Sequence, residues 1–448
     1  MKRLVVLAVA SCGGSNPPLL APPVQMTLIA PPIAAAPPAP SIASASVAPY
    51  PPEVHSVRFV KTSAVRKAPR LDAEPVGIVR RGTRAAAERA GGPCDGAARW
   101  IAIAPRGWAC EDVLAASLEP PTPAPDVSFD DDDEAVRRPV QGVYGMVRGD
   151  ARAFATRDDA AEGENGRDLI GNNTVRAAGV VTIDGRRFWR TTRGELIDEA
   201  SIVELAPSRF KGTAIADPAA MPAWVRSRRD PYAPLVTRAE PSPRAAVTGK
   251  LAPRARVAIA ERSDDGAWAR VGDAAWVELA DLRVATIAPP PPGTAPGEKW
   301  FDVDRDQQIL VAYEGERPVY ATLVSTGRYQ HETPTSVARV FAKLETAVMS
   351  SDKESIYSVA DVPWTMYYDR DFALHTSYWH DGFGSPRSHG CINLAPRDAR
   401  LLYRWSSPDV PPGWIAVYGD RDNPGSLVRV RTAAVPEPAF RGYARELL

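Results

Sequence analysis

The residues with the most evident chemical potential lie near the C-terminus, in the run Ser388-His389-Gly390-Cys391-Ile392-Asn393. A cysteine is nucleophilic only as its thiolate, and its ordinary pKa of about 8.5 requires help from a nearby base or cation. Two histidines are candidates for this role. His389 points to the same side as Cys391 if the segment is extended, whereas His375 ends a separate apolar strand and can face the sulfur across a sheet.

The glycine before the cysteine bears on the same chemistry. Because Gly390 has no side chain, a substrate carbonyl can approach the backbone, and the N–H groups of Gly390 and Cys391 can form an oxyanion hole. Such a site suits acyl transfer through a thioester. One alternative is that Cys391 is a buried apolar residue and His389 a structural one. A zinc site of His375, His380 and His389 is disfavoured, because no acidic residue is placed as ligand and base.

Alternating strands must position these residues, because from Trp300 onward the sequence follows the pattern of a β-meander. The apolar runs predict strands at 302–304, 308–313, 317–324, 362–368 and 372–375. One helix is predicted over 396–405, with Pro396 at its start and Leu401, Leu402 and Trp405 on one face.

The segment Phe372-Ala373-Leu374-His375, followed by the cysteine run, resembles the catalytic signature of the L,D-transpeptidases: a histidine, then Ser/Thr-His-Gly-Cys-aliphatic-Arg/Asn. Ser325-Thr326-Gly327 and Thr333-Pro334 resemble that family's other shared stretch, although Ser336 stands where the family usually has glycine. The resemblance covers about residues 300–418. It implies an L,D-transpeptidase β-sandwich domain with one or two short helices.

By this resemblance, Cys391 attacks the carbonyl of an L-centre in a peptidoglycan tetrapeptide stem and expels the terminal D-amino acid. His375 matches the general base, oriented by a backbone carbonyl or by a neighbour such as Thr376. Ser388 and His389 shape the thiolate, and Asn393 supports the cysteine loop. No cofactor or metal is implied.

The segment Tyr378-Trp379-His380-Asp381 lies between the histidine and the cysteine and is predicted to be a lid. Its aromatic side chains are expected to line the groove for the stem peptide. His380 is expected either to contact substrate or to pack within the lid. His331 and His55 lie outside the signature and are predicted to be surface residues.

The chain as a whole is long enough for roughly three domains, with 448 residues. Its 45 prolines predict linkers between several modules, and its formal net charge of zero argues against a nucleic-acid-binding role. The composition is otherwise that of a globular protein, and we expect a monomer.

The N-terminus reads as an export signal, in which Met1-Lys2-Arg3 precedes a short apolar run. Val9-Ala10-Ser11-Cys12 resembles a bacterial lipobox, which implies that Cys12 carries a lipid that anchors the protein on the periplasmic side of the envelope. A plain cleaved signal peptide is the alternative. Gly13-Gly14 replaces the aspartate that often retains lipoproteins at the inner membrane, which favours the outer membrane.

Export places the remaining cysteines in an oxidising compartment, where disulfides form. Cys94 and Cys110 lie in one small module and are predicted to bridge. Cys391 is then the cysteine without a disulfide partner, and such a free thiol is a candidate reactive group.

Three segments end in a weak internal repeat: a Trp-bearing strand, a tight turn and a second short strand. The three tryptophans are Trp100, Trp189 and Trp268, and we expect them in the core. The segments resemble bacterial SH3-like domains, the middle one least. The predicted fold is therefore mainly β and multidomain, with small SH3-like barrels before the β-sandwich. The expected divisions are a lipoprotein signal peptide 1–12, a Pro/Ala-rich tether 13–52, an SH3-like domain 53–118, a Pro/acidic linker 119–139, a divergent SH3-like domain 140–215, an SH3-like domain 220–287, a Pro linker 288–297, the catalytic domain 298–419 and a C-terminal tail 420–448.

The expected function is cell-wall biogenesis by formation of 3→3 peptidoglycan cross-links, if an amine of a second stem resolves the thioester. Water as acceptor would make the enzyme an L,D-carboxypeptidase, and a protein lysine would make it a protein-to-wall ligase. A non-catalytic wall-binding lipoprotein is disfavoured by the intact signature. A cysteine endopeptidase is disfavoured because His375 precedes Cys391 in the chain.

Overall fold

The computed structural model describes residues 4–6, 9–10, 26–28, 49–124, 129, 138–351 and 357–447. Cys12 and the acidic run at 130–134 lie outside the described residues. Three short strands belong to the N-terminal region, where the first pairs with the third: β1 (Leu4–Val6), β2 (Val9–Ala10) and β3 (Met26–Leu28). Within the described ranges, none of the helices has the length and apolar character needed to cross a membrane.

The first module is built from short antiparallel strands around a core that includes Phe59 and Ile101. Cys94 and Cys110 form a disulfide that links two strands on either side of the Trp100 strand. The strands are β4 (Ser56–Phe59), β5 (Ser63–Arg66), β6 (Pro75–Val79), β7 (Arg84–Ala85), β8 (Ala87–Asp95), β9 (Ala98–Ile103), β10 (Trp108–Cys110) and β11 (Leu114–Ser117).

The second module adds one helix, α1 (Arg157–Glu162), which Thr156 caps and Gly163 ends in the left-handed conformation. Its strands are β12 (Val143–Val147), β13 (Arg152–Phe154), β14 (Arg167–Asp168), β15 (Asn172–Ile183), β16 (Arg186–Thr191), β17 (Leu196–Asp198) and β18 (Ile202–Glu204). A short strand, β19 (Thr213–Ala214), follows the module.

The third module has a three-stranded and a five-stranded sheet. Its strands are β20 (Ala223–Val225), β21 (Leu235–Arg238), β22 (Val247–Leu251), β23 (Arg256–Val257), β24 (Glu261–Arg262), β25 (Trp268–Arg270), β26 (Trp276–Glu278) and β27 (Leu282–Val284).

All three modules end in the same order: a Trp-bearing strand, a short strand, a 3-10 turn and a last strand. The three turns are Glu111–Val113, Glu199–Ser201 and Leu279–Asp281. Trp100, Trp189 and Trp268 are buried. The internal repeat in the sequence is therefore a repeat of local structure.

The C-terminal domain contains two sheets that share one long strand, β30. Its strands are β28 (Lys299–Asp304), β29 (Ile309–Glu314), β30 (Arg317–Ser325), β31 (Ser336–Arg339), β32 (Ala342–Ser351), β33 (Tyr357–Asp369), β34 (Phe372–Thr376), β35 (Ile392–Leu394), β36 (Trp414–Tyr418) and β37 (Leu427–Arg431), with helices α2 (Pro396–Trp405) and α3 (Gly442–Glu446). The predicted mainly-β fold and the predicted helix at 396–405 are confirmed.

The order of strands explains how β30 joins the two sheets. Its first part pairs with β29, and Val324 and Ser325 at its end pair with β35. One sheet runs β31-β37-β28-β29-β30, and the other runs β30-β35-β34-β33-β32-β36. Phe301, Leu310, Met366 and Leu374 from the two sheets meet in one buried core, against which α2 packs Leu402.

The catalytic sheets extend beyond the boundaries expected from the sequence. Strand β37 lies within the segment expected to be a C-terminal tail, yet it pairs in parallel with β28. Ser336 begins the next strand, β31, and is fully buried. The sheet would lose an internal strand if the chain ended at residue 419.

The modules also pack directly on the C-terminal domain. Strand β6 of the first module pairs with β36, where a Cβ on Gly77 would lie 2.3 Å from the Trp414 ring. Strand β15 of the second module pairs in parallel with β33, and β19 pairs with β30. Strand pairing therefore joins the first two modules to the C-terminal domain, whereas, within the described residues, the strands of the third module pair only with one another.

Candidate active site

Two neighbouring strands position the histidine and the cysteine. Strands β34 and β35 run parallel, with His375 opposite Asn393 and Leu374 opposite Ile392. His375 and Asn393 therefore lie on one face of the sheet, and Cys391, in the bend just before β35, lines the same cleft as these two side chains. His375 and Cys391 are buried, and both line a cleft of about 480 Å³.

The orientation of His375 comes from a backbone carbonyl. Its Nδ1 lies 2.9 Å from the carbonyl oxygen of Thr376, so Nδ1 carries the proton and donates it, which leaves the Nε2 lone pair for the cleft. Burial lowers the pKa of His375 to about 4, and the bond to Thr376 opposes this shift only in part. The ring is therefore neutral at pH 7 and can accept a proton.

Thr376 thus acts through its carbonyl group and not through its side chain. Its hydroxyl is buried and has no hydrogen-bond partner among the described residues. Thr376 is absent from the residues that line the cleft, and a contact between its side chain and substrate stays a prediction.

The cysteine loop is closed by a side chain. The Ser388 hydroxyl accepts a hydrogen bond from the Gly390 N–H at 3.1 Å and donates one to the Cys391 carbonyl. Gly390 has a φ of 121°, and a Cβ there would lie 2.5 Å from the Phe372 ring, so only glycine fits. The Gly390 N–H is therefore used within the loop, in contrast to the predicted oxyanion hole, which included it.

The thiol is also placed by backbone. Cys391 Sγ lies 3.7 Å from the carbonyl oxygen of Asp371, an acceptor for the S–H proton. Asp371 lies in the turn before β34, the strand that carries His375. The same turn therefore sets the position of both groups.

Thr333 joins the two motifs that the sequence has in common with the L,D-transpeptidases. Its hydroxyl accepts a hydrogen bond from the Gly327 N–H at 2.9 Å and donates one to the Gly390 carbonyl at 2.8 Å. The side chain is fully buried. Thr326 adds a second link, because its carbonyl accepts hydrogen bonds from the backbone of Arg387 and Ser388. The sequence identified Thr333 as part of a motif but did not predict this contact.

His389 lines the same cleft, and a second histidine lies against it. The ring centroids of His389 and His331 are 5.0 Å apart. Burial, together with the nearby charges of Arg328 and His331, lowers the pKa of His389 to about 4. His331, predicted to be a surface residue, is half-exposed and lies against the His389 ring beside the cleft.

The segment predicted as a lid is buried at Tyr378, half-buried at Trp379 and His380, and exposed at Asp381. Tyr378 is 1% exposed, its hydroxyl bonds the Ala360 carbonyl and the Thr174 hydroxyl, both at 2.7 Å, and its ring packs 4.0 Å from that of Tyr144. It does not line the cleft. Trp379 does, with its ring stacked on His375 at a centroid distance of 5.9 Å.

His380 supports Asn393 from behind the cleft, which it does not line. Its Nδ1 accepts the Gly382 N–H at 3.2 Å, and burial lowers its pKa to about 3, so the neutral ring carries its proton on Nε2. Nε2 lies 2.9 Å from the Asn393 amide. The atom at this distance is Asn393 Nδ2, and exchanging the oxygen and nitrogen of the amide supplies the acceptor that the Nε2 proton requires.

The cleft also contains residues that the sequence did not indicate. Met146, Asn172 and Thr174 come from the second module, and Met349 and Val359 come from β32 and β33. No sequence signal could find the three module residues, because the parallel pairing of β15 with β33 places them there. Arg328 and Arg387 complete the lining. Within the described ranges, no group of three or more His, Cys, Asp or Glu side chains is placed to hold a metal ion.

Comparisons with known proteins find similarity in the part of the chain that contains the cleft. The family model described as the L,D-transpeptidase catalytic domain, YkuD, matches residues 298–430. No curated protein matches the chain. Solved structures with similarity include an Enterococcus faecium L,D-transpeptidase mutant, at 23% identity over 30% of this chain and 50% of that one, with a TM-score of 0.25.

Two further solved structures have similar coverage. An L,D-transpeptidase from Stackebrandtia nassauensis has 26% identity over 31% of this chain and 57% of that one, with a TM-score of 0.23. L,D-transpeptidase 3 from Mycobacterium tuberculosis has 17% identity over 30% and 60%, with a TM-score of 0.25. The chain thus spans between half and two thirds of the length of these three relatives. Residues 298–430 of this chain match the L,D-transpeptidase catalytic domain family.

Proposed function

We propose that this protein forms 3→3 cross-links in peptidoglycan through a thioester on Cys391, with His375 as the general base. The observation that carries the proposal is the arrangement of two buried groups in one cleft. His375 is neutral, and the Thr376 carbonyl holds its Nδ1 proton, so its Nε2 can accept a proton in the cleft that both His375 and Cys391 line. This is the arrangement that a thiol nucleophile requires.

The proposed first step is acylation. His375 Nε2 takes the Cys391 proton as the sulfur forms a bond to the carbonyl carbon of the third stem residue. The bond from that carbon to the nitrogen of the fourth residue then breaks, and His375 gives its proton to this leaving amine. The product is a thioester and a free D-amino acid.

The proposed second step returns the enzyme to its first state. The side-chain amine of another stem attacks the thioester carbon, and one of its protons passes to His375. The carbon–sulfur bond breaks, and the proton returns to the Cys391 sulfur. The Cys391 N–H is the candidate for stabilising the oxyanion of both steps, because the Gly390 N–H already binds Ser388.

The setting of this activity is part of the proposal. An enzyme of the L,D-transpeptidase type acts on peptidoglycan peptides, and the lipobox-like sequence would attach it to the envelope through lipid on Cys12. The three β modules would act as SH3-like domains, and the divisions at 53–118, 140–215 and 220–287 stay as predicted. We expect a monomer on the periplasmic side, with the outer membrane favoured.

The decisive experiment is incubation of the protein with a disaccharide-tetrapeptide, followed by mass spectrometry. A dimer that has lost one terminal alanine supports transpeptidation. Tripeptide alone would replace the proposal with L,D-carboxypeptidation. No change with folded protein would refute both activities, and the Cys391→Ala variant is the control for contaminating enzymes.

A second experiment tests the nucleophile directly. A carbapenem carries a strained acyl group that a thiolate can open, so it is expected to add covalently to the wild type and not to Cys391→Ala. Intact-protein mass spectrometry measures the adduct. Equal labelling of the two proteins would show that another residue is the nucleophile.

A further inference from the structure

One guanidinium group at the cleft is held in place before any substrate binds. Arg387 lines the cleft and donates a hydrogen bond from Nη2 to the Tyr232 hydroxyl of the third module. The Tyr232 ring lies 5.7 Å from the Arg387 guanidinium carbon. The arginine also lies close against Gly382, where a Cβ would be 1.9 Å from its Nε. Arg387 is exposed and Tyr232 is 54% exposed, and these contacts favour one orientation of the guanidinium group toward the cleft.

The support behind Arg387 is itself cationic. Tyr232 also packs on Arg226, whose guanidinium carbon lies 5.6 Å from the ring. Arg226 is 1% exposed and donates to Ser385 Oγ and to the carbonyls of Pro231 and Gly382. These partners are neutral, so the charge of Arg226 is solvated by dipoles and not cancelled. It therefore adds to the positive potential around Arg387.

A second arginine faces the same space. Arg328 lines the cleft, and its backbone N–H donates to the Ser388 carbonyl at 3.0 Å. Its charge lies close enough to lower the pKa of His389. Among the described residues, neither Arg328 nor Arg387 has an ion pair with a carboxylate, and the described lining of the cleft contains no acidic side chain. Two guanidinium groups with no anionic partner in a cleft are suited to bind an anion.

We propose that Arg387, assisted by Arg328, binds a free carboxylate of the stem peptide, so that the enzyme prefers stems in which that carboxylate is not amidated. This inference rests on the proposed function, which supplies the stem as substrate. The guanidinium group donates two parallel hydrogen bonds to the two oxygens of a carboxylate. An amide has only one oxygen acceptor and no negative charge, so it cannot form this pair. Tyr232 is a positioning residue, because it contacts Arg387 and not the cleft.

The test compares matched peptides and matched variants. Disaccharide-tetrapeptides with all carboxylates free, or with one carboxylate amidated at a time, are assayed with wild type, Arg387→Gln and Arg387→Lys. We expect one amidation to lower kcat/KM of the wild type by about 10- to 100-fold, as for loss of a charged hydrogen bond. We expect Arg387→Gln to lower kcat/KM for the free acid by a similar factor and to remove the difference between the two peptides.

Two further variants test whether Tyr232 positions Arg387 and whether net charge alone explains the effect. Tyr232→Phe keeps the ring but loses the hydrogen bond, and is expected to raise KM several-fold for the free acid with little change in kcat. Arg244→Gln, on an exposed turn of the third module, removes one positive charge and is expected to behave as the wild type. If Arg244→Gln lowers kcat/KM as much as Arg387→Gln does, the effect comes from net charge alone and the proposal is overturned.

The preference for a free carboxylate has its own refuting outcome. If Arg387→Gln lowers kcat/KM equally for every peptide, or for none, the carboxylate site does not exist. Alkylation of Cys391 by uncharged iodoacetamide, at equal rates in all variants, shows that the cleft is intact. If the wild type turns over no peptide, the proposed function fails. The carboxylate site can still be tested by calorimetry, which measures binding of the free and amidated peptides to Cys391→Ala with and without Arg387→Gln.

Discussion

Replacing Thr333 by valine tests whether the two shared motifs form one unit. Valine keeps the shape of threonine and removes the hydroxyl that joins the Gly327 N–H to the Gly390 carbonyl. The position is fully buried, so water cannot replace the lost partner without rearrangement. The change therefore affects the cysteine loop without touching either His375 or Cys391.

The magnitude follows from the two groups that lose a partner. A buried N–H left without an acceptor costs about 1–3 kcal/mol, and loss of the bond to the Gly390 carbonyl adds about 1 kcal/mol. We expect destabilisation of about 2–4 kcal/mol, which corresponds to a fall in Tm of roughly 5–15 °C for a domain of this size. A shift of the Cys391 loop by about 1 Å would also slow acylation by roughly 100-fold.

Thermal unfolding followed by circular dichroism measures the first effect, and the rate of carbapenem acylation measures the second. Thr365→Val is the matched control, since Thr365 is equally buried but its hydroxyl donates only to the nearby Val362 carbonyl at 3.2 Å. We expect a smaller loss of stability and normal acylation for this control. Wild-type Tm and wild-type acylation in Thr333→Val would refute the reasoning that the hydroxyl holds the loop.

Three other perturbations test other parts of the structure. Because burial lowers the pKa of His375 to about 4, kcat/KM should stay high down to about pH 5 and fall near pH 4; a half-maximal value near pH 6.5 in a pH–rate profile would contradict the neutral buried ring. The same shift, with the folded pKa below the unfolded one, means that this contribution to stability is full above pH 6.5 and is lost as the pH falls toward 4, which urea unfolding at pH 7 and pH 4.5 can measure. Tyr378→Phe removes the bonds to Thr174 and to the Ala360 carbonyl and should cost about 1–3 kcal/mol in the same assay, more than an exposed Tyr329→Phe control; equal values would show that the second module is not held through this hydroxyl. Cys94→Ala with Cys110→Ala should lower the stability of the first module by about 3 kcal/mol, as for a loop of this length, while iodoacetamide still labels Cys391; an unchanged Tm would argue that the bridge does not constrain the unfolded chain.

Local patterns were sufficient for the elements that carry the site. The period-two runs predicted the strands of the meander, and Pro396 with its apolar face predicted the helix that the structure contains. Such patterns can be recognised in a single sequence because they depend only on residues a few positions apart. The burial of Tyr378, in contrast, depends on residues far away in the sequence. Tyr378 and Trp379 look like a rim in sequence, but a second module covers Tyr378.

The sequence by itself determined which groups can react, because the identity and spacing of His375, Gly390 and Cys391 are fixed along the chain. It also indicated a mainly-β protein. Only the tertiary structure decided what surrounds them. The Thr376 carbonyl selects the tautomer of His375, Thr333 connects two distant loops, and Arg387 is fixed by a tyrosine 155 residues away. Each of these contacts depends on strand register and module packing, which are set by the burial of many apolar side chains together and leave no local mark at the residues that they bring into contact.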